Sequence, residues 1–307
     1  MPDMKITAGL SCLDAYDALT DAGADELFAG FVPLSWLERY GNITPLNRRE
    51  VLMHNIQLDS FSEMRLLSRK IEKRGVPVAL TFNSICYLPE QYPVIAEMLS
   101  RLLQLGFADW ILADPGLMLY IHQQKLPGRI HLSGEAGCFN PDAMRFFQRF
   151  GISRWIFPRK ITPEEMAACI RAVPGGEYEA FMLNERCQYS GAYCASLHCD
   201  ELDHICHVPY RPCGPDIHRS EPEEVDCADF GAGGCGLCAL PRLRRSGITH
   251  LKVVGRGAHV ECLQRDIALL RRALELGDVP PDTLRRDIMH NRCSDNCYYP
   301  NSDGYDI

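Results

Sequence analysis

The sequence lacks an excess of basic charge and any long hydrophobic run. Its 307 residues carry 32 Lys and Arg against 40 Asp and Glu, which gives a formal net charge of −8 at pH 7. A nucleic-acid-binding surface normally needs a basic face, so we do not expect a nucleic-acid partner. No apolar run approaches the roughly 18 residues that a membrane-spanning helix requires, and the start, MPDMKITAGL, lacks the pattern of a signal peptide. We therefore expect a cytoplasmic protein without a membrane span.

The short motifs of common hydrolases are also absent. Neither H-E-x-x-H nor G-x-S-x-G occurs. A formal G-x-G-x-x-G does occur, as GAGGCG at 231–236, but no convincing strand precedes it, so we do not interpret it as a dinucleotide site. A cysteine peptidase stays open as an alternative, because His198, His204 and His207 lie near several thiols in the sequence.

Cysteine, in contrast, is abundant. The chain has 15 cysteines, and the stretch NERCQYSGAYCASLHCDELDHICHVPYRPC, residues 184–213, contains five of them. Thiols stay reduced in the cytoplasm, where clustered cysteines indicate metal ligands more than disulfides. An odd number of cysteines also excludes complete internal pairing.

Zinc and an iron–sulfur cluster both use four thiolates. A structural zinc site usually shows two close cysteine pairs, and Cys235 with Cys238 has that form. The longer, uneven separations of Cys187, Cys194 and Cys206 favour a cluster held by scattered ligands. The spacing therefore indicates an iron–sulfur site, with zinc and reduced structural or redox cysteines as alternatives.

Short apolar runs alternate with helix-length amphipathic segments along most of the chain. Continuous apolar strands flanked by helices are typical of a parallel sheet covered by helices on its outer face. Eight such units predict a (β/α)8 TIM-barrel-like fold over 1–275, with a doubly wound open sheet as the alternative. A cysteine-rich insertion at 185–238 follows strand 7, and 276–307 is predicted to be an irregular C-terminal tail. The eight predicted strands are 5–10, 26–31, 76–83, 108–114, 129–134, 153–159, 178–184 and 249–255.

The C-terminal ends of the strands form the active-site face of such a barrel. Glu135, Arg159 and Arg256 lie at three of these ends and are our catalytic candidates, which would position or protonate a substrate. The run GRG at 255–257 precedes a predicted helix, whose free amides favour anions. This predicts a small-molecule substrate with a phosphate or carboxylate group, unless the glycines only form a turn.

Three segments carry a resemblance to a known family. They are YEAFMLNERCQYSGAYC at 178–194, FPRKIT at 157–162 and THLKVVGRG at 249–257. The chain resembles the peptidase U32 family, whose characterised members include RNA hydroxylation proteins and paired proteins of oxygen-independent ubiquinone synthesis. The resemblance implies a [4Fe–4S] cluster on four cysteines and hydroxylation without O2.

The same resemblance implies a ligand set. Cys187 and Cys194 match the first two ligands and Cys206 the third. Cys235 and Cys238 are the best candidates for the fourth ligand, ahead of two others, Cys213 and Cys227. Three further thiols exceed the usual four, so a second metal site is a hypothesis; they are Cys199, Cys293 and Cys297.

The leading hypothesis is an iron–sulfur enzyme of anaerobic metabolism that acts on a small or medium-sized organic substrate at the barrel mouth. The cluster would bind the substrate through an open iron or transfer electrons from a donor. Alternatives are an RNA base-hydroxylating enzyme, a peptidase, and a noncatalytic partner of a second U32-family subunit.

Overall fold

The computed structural model describes residues 3–41, 45–48, 57–187, 191–194, 233–290 and 297–300. Eight parallel strands close into a barrel in chain order, from β1 next to β2 round to β8 next to β1. The predicted barrel is therefore confirmed, and the open doubly wound sheet is excluded. The strands are β1 (Lys5–Leu10), β2 (Glu26–Gly30), β3 (Val78–Phe82), β4 (Asp109–Leu112), β5 (Arg129–Leu132), β6 (Ile152–Ile156), β7 (Glu177–Leu183) and β8 (His250–Val253).

Helices surround the barrel and cover its strands. Every residue of β2 and β3 is buried, as expected for strands that pack against the barrel interior on one side and helices on the other. The described helices are α1 (Ala15–Asp21), α2 (Leu34–Tyr40), α3 (Phe61–Arg74), α4 (Tyr92–Leu103), α5 (Pro115–Gln124), α6 (Pro141–Gln148), α7 (Pro163–Ala172), α8 (Leu240–Ser246), α9 (Val260–Glu275) and α10 (Pro281–Asp287). No helix in these ranges is long and apolar enough to cross a membrane.

Local sequence signals set several helix starts. Ser60 caps α3 by accepting a hydrogen bond from the Glu63 backbone N–H at 3.2 Å. Thr162 and Glu165 form a reciprocal capping box at the start of α7. These caps satisfy amides that have no partner within the helix, so they fix the residues at which α3 and α7 begin.

Three short segments are joined by backbone hydrogen bonds beside the end of β7, and we call segments 182–186, 233–236 and 297–299 the clasp. The Asn184 N–H donates to the Gly234 carbonyl at 2.8 Å, and the Gly236 N–H donates to the Met182 carbonyl at 2.8 Å. The Tyr298 N–H donates to the Cys235 carbonyl, also at 2.8 Å. The clasp therefore holds the two ends of the cysteine-rich segment together and attaches the C-terminal part of the chain to them.

The C-terminal segment is more ordered than the irregular tail predicted for 276–307. It contains α10, and Leu284 of that helix is buried. Tyr298 and Tyr299 are buried as well, and the Tyr299 hydroxyl donates to the Phe181 carbonyl of β7 at 2.6 Å. α10 was not predicted, because it has only seven residues and its contacts lie far away in the sequence.

Candidate active site at the barrel mouth

A pocket of about 90 Å³ opens at the C-terminal ends of the strands. This is the face on which barrels of this kind place their active sites. Its wall combines two aromatic rings with four cationic side chains, which are Phe28, Phe181, Arg48, Arg159, Lys252 and Arg256. We call it the mouth pocket.

All three catalytic candidates line the mouth pocket. Glu135 lies between two arginines, with Oε1 3.6 Å from Arg159 Nη1 and Oε2 3.8 Å from Arg48 Nε. Its Oε2 also accepts a hydrogen bond from the Cys194 backbone N–H at 3.4 Å. The Glu135 carboxylate therefore connects the pocket to the start of the cysteine-rich segment.

Arg159 is held by an aromatic ring and a backbone carbonyl. Its guanidinium carbon lies 4.0 Å from the centre of the Phe181 ring, and its Nε donates to the Glu185 carbonyl at 3.1 Å. The Tyr298 ring is stacked on the same Phe181 ring, with the two ring centroids 6.3 Å apart. The clasp thus supports one cationic wall of the pocket.

Arg256 crosses the barrel end toward β2 and β3. Its Nη1 donates to Gln57 Oε1 at 3.1 Å and to Thr81 Oγ1 at 3.3 Å. A Cβ atom on Gly30 would lie 2.7 Å from Arg256 Nη1, and one on Gly9 would lie 2.9 Å from Arg256 Cγ. The absence of side chains at these two glycines makes room for the arginine.

Lys252 and Glu179 were not among the predicted site residues. Lys252 Nζ donates to Glu179 Oε1 at 2.6 Å and lies 3.7 Å from the centre of the Phe28 ring. Burial alone would raise the pKa of Glu179, but Lys252 and Arg154 outweigh it and lower this pKa to about 2. A buried ion pair therefore stands at the floor of the mouth pocket.

Below this pair, Arg154 of β6 is surrounded by carboxylates. It lies 2.6 Å from Glu26, 2.8 Å from Glu177 and 3.2 Å from Glu179, and its side chain is only 1% exposed. Burial raises the pKa of Glu26, yet His250 and Arg154 bring it well below its usual range. The barrel interior is thus charged, with its ionised groups paired.

Other polar residues at the ends of the strands stabilise the neighbouring loops and helices. Asp114 caps α5 by accepting from the Gly116 N–H at 2.8 Å, and its other oxygen accepts from the Tyr87 N–H at 3.2 Å. The Asn184 side chain donates to Asp266 at 2.8 Å. These contacts assign Asp114 and Asn184 to packing of the loops beside the pocket.

Four of the five predicted metal ligands lie in described residues. Cys187 and Cys194 are half-buried beside the mouth pocket, and Cys187 Sγ accepts a hydrogen bond from the Gly191 N–H at 3.4 Å. Cys235 is buried in the clasp, where its Sγ accepts from the Leu237 N–H at 3.5 Å. Cys238 Sγ accepts from Arg285 Nε at 3.4 Å.

Within the described ranges, no group of three or more His, Cys, Asp or Glu residues is arranged to hold a metal ion. Five cysteines lie outside those ranges, and the predicted third ligand is one of them; they are Cys199, Cys206, Cys213, Cys227 and Cys293. The predicted ligand set and second metal site therefore stay predictions.

Two other cysteines are buried, Cys138 in the connection between β5 and α6 and Cys169 in α7. Burial raises the pKa of the Cys138 thiol to about 12 and that of Cys169 to about 11. A thiol with so high a pKa stays protonated and packs as a small apolar group. This fits the role of ordinary packing residues.

The family model of peptidase family U32 matches residues 11–292. The chain belongs to peptidase family U32. The resemblance inferred from the three sequence segments is thereby confirmed.

Two relatives are both named "tRNA hydroxylation protein P". The one from Escherichia coli is 30% identical over 133 residues, which is 43% of this chain and 29% of the relative. The one from Haemophilus influenzae is 31% identical over 94 residues, or 30% of this chain and 20% of the relative.

This U32 chain thus aligns with less than a third of either relative. Solved structures with a similar fold include the U32 peptidase Mk0906, at 18% identity and a TM-score of 0.44, covering 59% of this chain and 70% of that one. A dihydrodipicolinate synthase matches at 10% identity and a TM-score of 0.49, covering 94% of this chain and 80% of that one. At these scores the structural similarities carry no argument about function.

Proposed function

We propose that this chain is an iron–sulfur U32 enzyme that hydroxylates, or carries out related redox chemistry on, a substrate in the mouth pocket. The main support for the proposal is that the pocket lies beside the start of the cysteine-rich segment. The Glu135 carboxylate in the pocket accepts a hydrogen bond from the backbone N–H of Cys194, a predicted cluster ligand. Membership of family U32 and the two relatives named for tRNA hydroxylation support the reaction class.

The chemistry of the donor set fits a cluster. Backbone N–H groups donate to the sulfurs of Cys187 and Cys235, and such hydrogen bonds stabilise ligated thiolates and adjust a cluster's reduction potential. Cys187, Cys194 and Cys206 would hold the group, with Cys235 or Cys238 as the fourth ligand. When bound, the cluster would supply electron transfer, or direct substrate binding if one iron lacked a cysteine ligand. Zinc is the alternative occupant.

The described pocket residues bind and orient the substrate. Arg48, Arg159 and Arg256 attract an anionic group such as a carboxylate or phosphate. Phe28 and Phe181 offer apolar faces to the rest of the molecule. Glu135 is an acceptor between two arginines and orients a substrate hydroxyl or amino group by hydrogen bonding.

We propose a small or medium-sized organic substrate as the first candidate, because the pocket is compact and the chain has a net charge of −8. A tRNA base is the second candidate, favoured by the name of the two relatives. In that case a single base would have to leave its stack to enter the pocket.

The cluster is tested first, by anaerobic purification with iron and sulfide analysis and EPR. We expect about four irons and four sulfides per chain, and a strong loss of both in Cys187→Ser and Cys194→Ser. Cys262→Ser is the matched control, since Cys262 lies in α9 and is not among the residues that line the pocket, and should keep the wild-type content. Stoichiometric zinc without iron would refute the proposal.

The substrate is tested in cells that lack the gene and are complemented with wild-type or Cys187→Ser protein under anaerobic conditions. Mass spectrometry of tRNA nucleosides and of small-molecule extracts should reveal a species with one additional oxygen that appears only with the wild type. Its presence in the tRNA fraction selects the second candidate. No oxygenated species in either fraction, together with a co-purifying second U32 chain, would indicate a noncatalytic partner instead.

A further inference from the structure

The cations of the mouth pocket differ in their ability to release a proton. Arg48, Arg159 and Arg256 keep their guanidinium charge at any pH at which proteins fold. Lys252 carries an ammonium group, which deprotonates far more readily once it is buried. Among the cations that line the pocket in the described part of the chain, Lys252 is the one suited to proton transfer.

Lys252 is held at a fixed point of the pocket wall. Its side chain is 7% exposed, and Nζ makes one hydrogen bond to a described residue, to Glu179 Oε1 at 2.6 Å. The ring of Phe28 covers another side of Nζ at 3.7 Å. An ammonium group has three N–H donors, so donors remain for an acceptor atom that enters the pocket.

Glu179 is in turn held by Arg154, whose Nη1 donates to Glu179 Oε2 at 3.2 Å. With one oxygen on Arg154 and the other on Lys252, the carboxylate has a single orientation. It is 1% exposed and bridges the barrel interior to the pocket. Glu179 therefore fixes the position of Nζ.

The groups around Lys252 shift its pKa in opposite directions. Burial lowers the pKa of Lys252, the facing Glu179 carboxylate of β7 raises it, and Arg154 of β6 and Arg256 beyond β8 lower it further. The net direction is downward, toward the range in which a lysine exchanges protons near neutral pH.

We infer that Lys252 is a catalytic residue, which transfers a proton between Nζ and a basic atom of the bound substrate, and that Glu179 is its positioning residue. The inference rests on the proposed function, which places the substrate in the mouth pocket. When Nζ gives up its proton, that substrate atom gains it and the lysine becomes a neutral amine. Water at the pocket opening then returns a proton to the amine. A purely structural role would instead require only a permanent positive charge beside Glu179.

The first test needs neither substrate nor cluster. Lysines of the full chain are labelled with ¹⁵N at Nζ and titrated by NMR, and the Lys252 signal is assigned from its loss in Lys252→Met. We expect this signal to titrate below the pKa of about 10.4 of a free lysine side chain, and to move lower still in Glu179→Gln, because the opposing carboxylate is lost. A Lys252 signal that titrates at or above that value would overturn the inference.

The second test measures turnover of the oxygenated product. Lys252→Arg keeps the charge but cannot shuttle a proton, so we expect kcat to fall about 100-fold or more with a much smaller change in KM. In Lys252→Ala, added methylamine should restore part of kcat, because it supplies the missing amine. Lys70→Met is the control, since Lys70 pairs with Asp17 on the outer helices, and should retain wild-type kcat.

The two tests separate the two proposals. Full activity in Lys252→Arg would show that only charge is needed and would overturn the catalytic role. If the wild type makes no oxygenated product, the proposed function fails, while the NMR titration still decides the proton-transfer property of Lys252. Iron content and circular dichroism equal to wild type confirm that the Lys252 variants are folded.

Discussion

Arg154→Met should strongly destabilise the barrel. Arg154 is 1% exposed and contacts Glu26 and Glu179, so its loss removes one counter-charge from each of two buried carboxylates. Removing one member of a buried ion pair costs about 3–5 kcal/mol. Lys252 and Arg154 together lower the pKa of Glu179 from 4.5 to about 2, which corresponds to about 3 kcal/mol of stabilisation. Arg154→Met loses only the share of this stabilisation that comes from Arg154, together with the contact to Glu26.

The pH dependence of this effect has a definite sign. In the wild type the depressed pKa of Glu179 contributes stability above about pH 4.5, and this is lost as pH falls toward about 2. In Arg154→Met the pKa values of Glu26 and Glu179 rise, because one of the cationic groups that oppose the effect of burial is lost. These carboxylates then take up protons as pH falls, which relieves the penalty. The free-energy difference between wild type and variant should therefore shrink from pH 8 to pH 4.

Urea unfolding followed by circular dichroism at pH 8, 6 and 4 measures this difference. Arg145→Met is the matched control, because Arg145 also contacts a carboxylate, Asp142 at 2.5 Å, but both side chains are exposed, at 57% and 91%. Such a pair contributes about 0–1 kcal/mol. Arg154→Met combined with Glu26→Gln should recover part of the loss. A cost below about 1 kcal/mol, or one that does not change with pH, would refute the reasoning.

Three further predictions concern local contacts, each measured by urea unfolding. Tyr299→Phe should lower the free energy of unfolding by about 1–2 kcal/mol, since it removes a buried hydrogen bond to β7; an effect no larger than that of Tyr120→Phe, at a half-buried tyrosine of α5, would contradict this. Thr162→Ala should cost about 1 kcal/mol through loss of the α7 cap, and unchanged stability would argue against the capping box. Gly137→Ala should cost at least about 1 kcal/mol, because its φ is +70° and its Cβ would collide with the ring of Tyr193; a neutral result would disprove that contact.

The barrel could be predicted from the sequence because its strands are local and strongly patterned. Runs such as VALTF at 78–82 are buried at every position, and each is followed by an amphipathic helix. α2 was missed, since it follows directly after Pro33 and buries only Trp36. The packing of Tyr298 on Phe181 joins residues more than a hundred positions apart, for which no local signal exists.

The mouth pocket was only partly predictable. Glu135, Arg159 and Arg256 could be found because each follows the end of a predicted strand. Lys252 and Glu179 were overlooked although they belong to the motifs that indicated the family. The signal that could have identified them is the alternation of charged and apolar residues along the strands. Two strands each carry such a pair two residues apart, Glu177 with Glu179 and His250 with Lys252, and side chains at this spacing point to the same face. In a closed barrel the shared face is the interior, where these charges pair.

The clasp has a consequence for how this fold can diversify. Because the chain leaves β7 and returns toward α8 through hydrogen-bonded neighbours, the intervening stretch starts and finishes at nearly the same point. The entropy of closing such a loop grows only logarithmically, by about 0.6 kcal/mol for each doubling of its length. Insertions and deletions between residues 195 and 232 should therefore leave the strand register untouched, so that the number and spacing of thiols in that stretch can evolve independently of the scaffold that carries them.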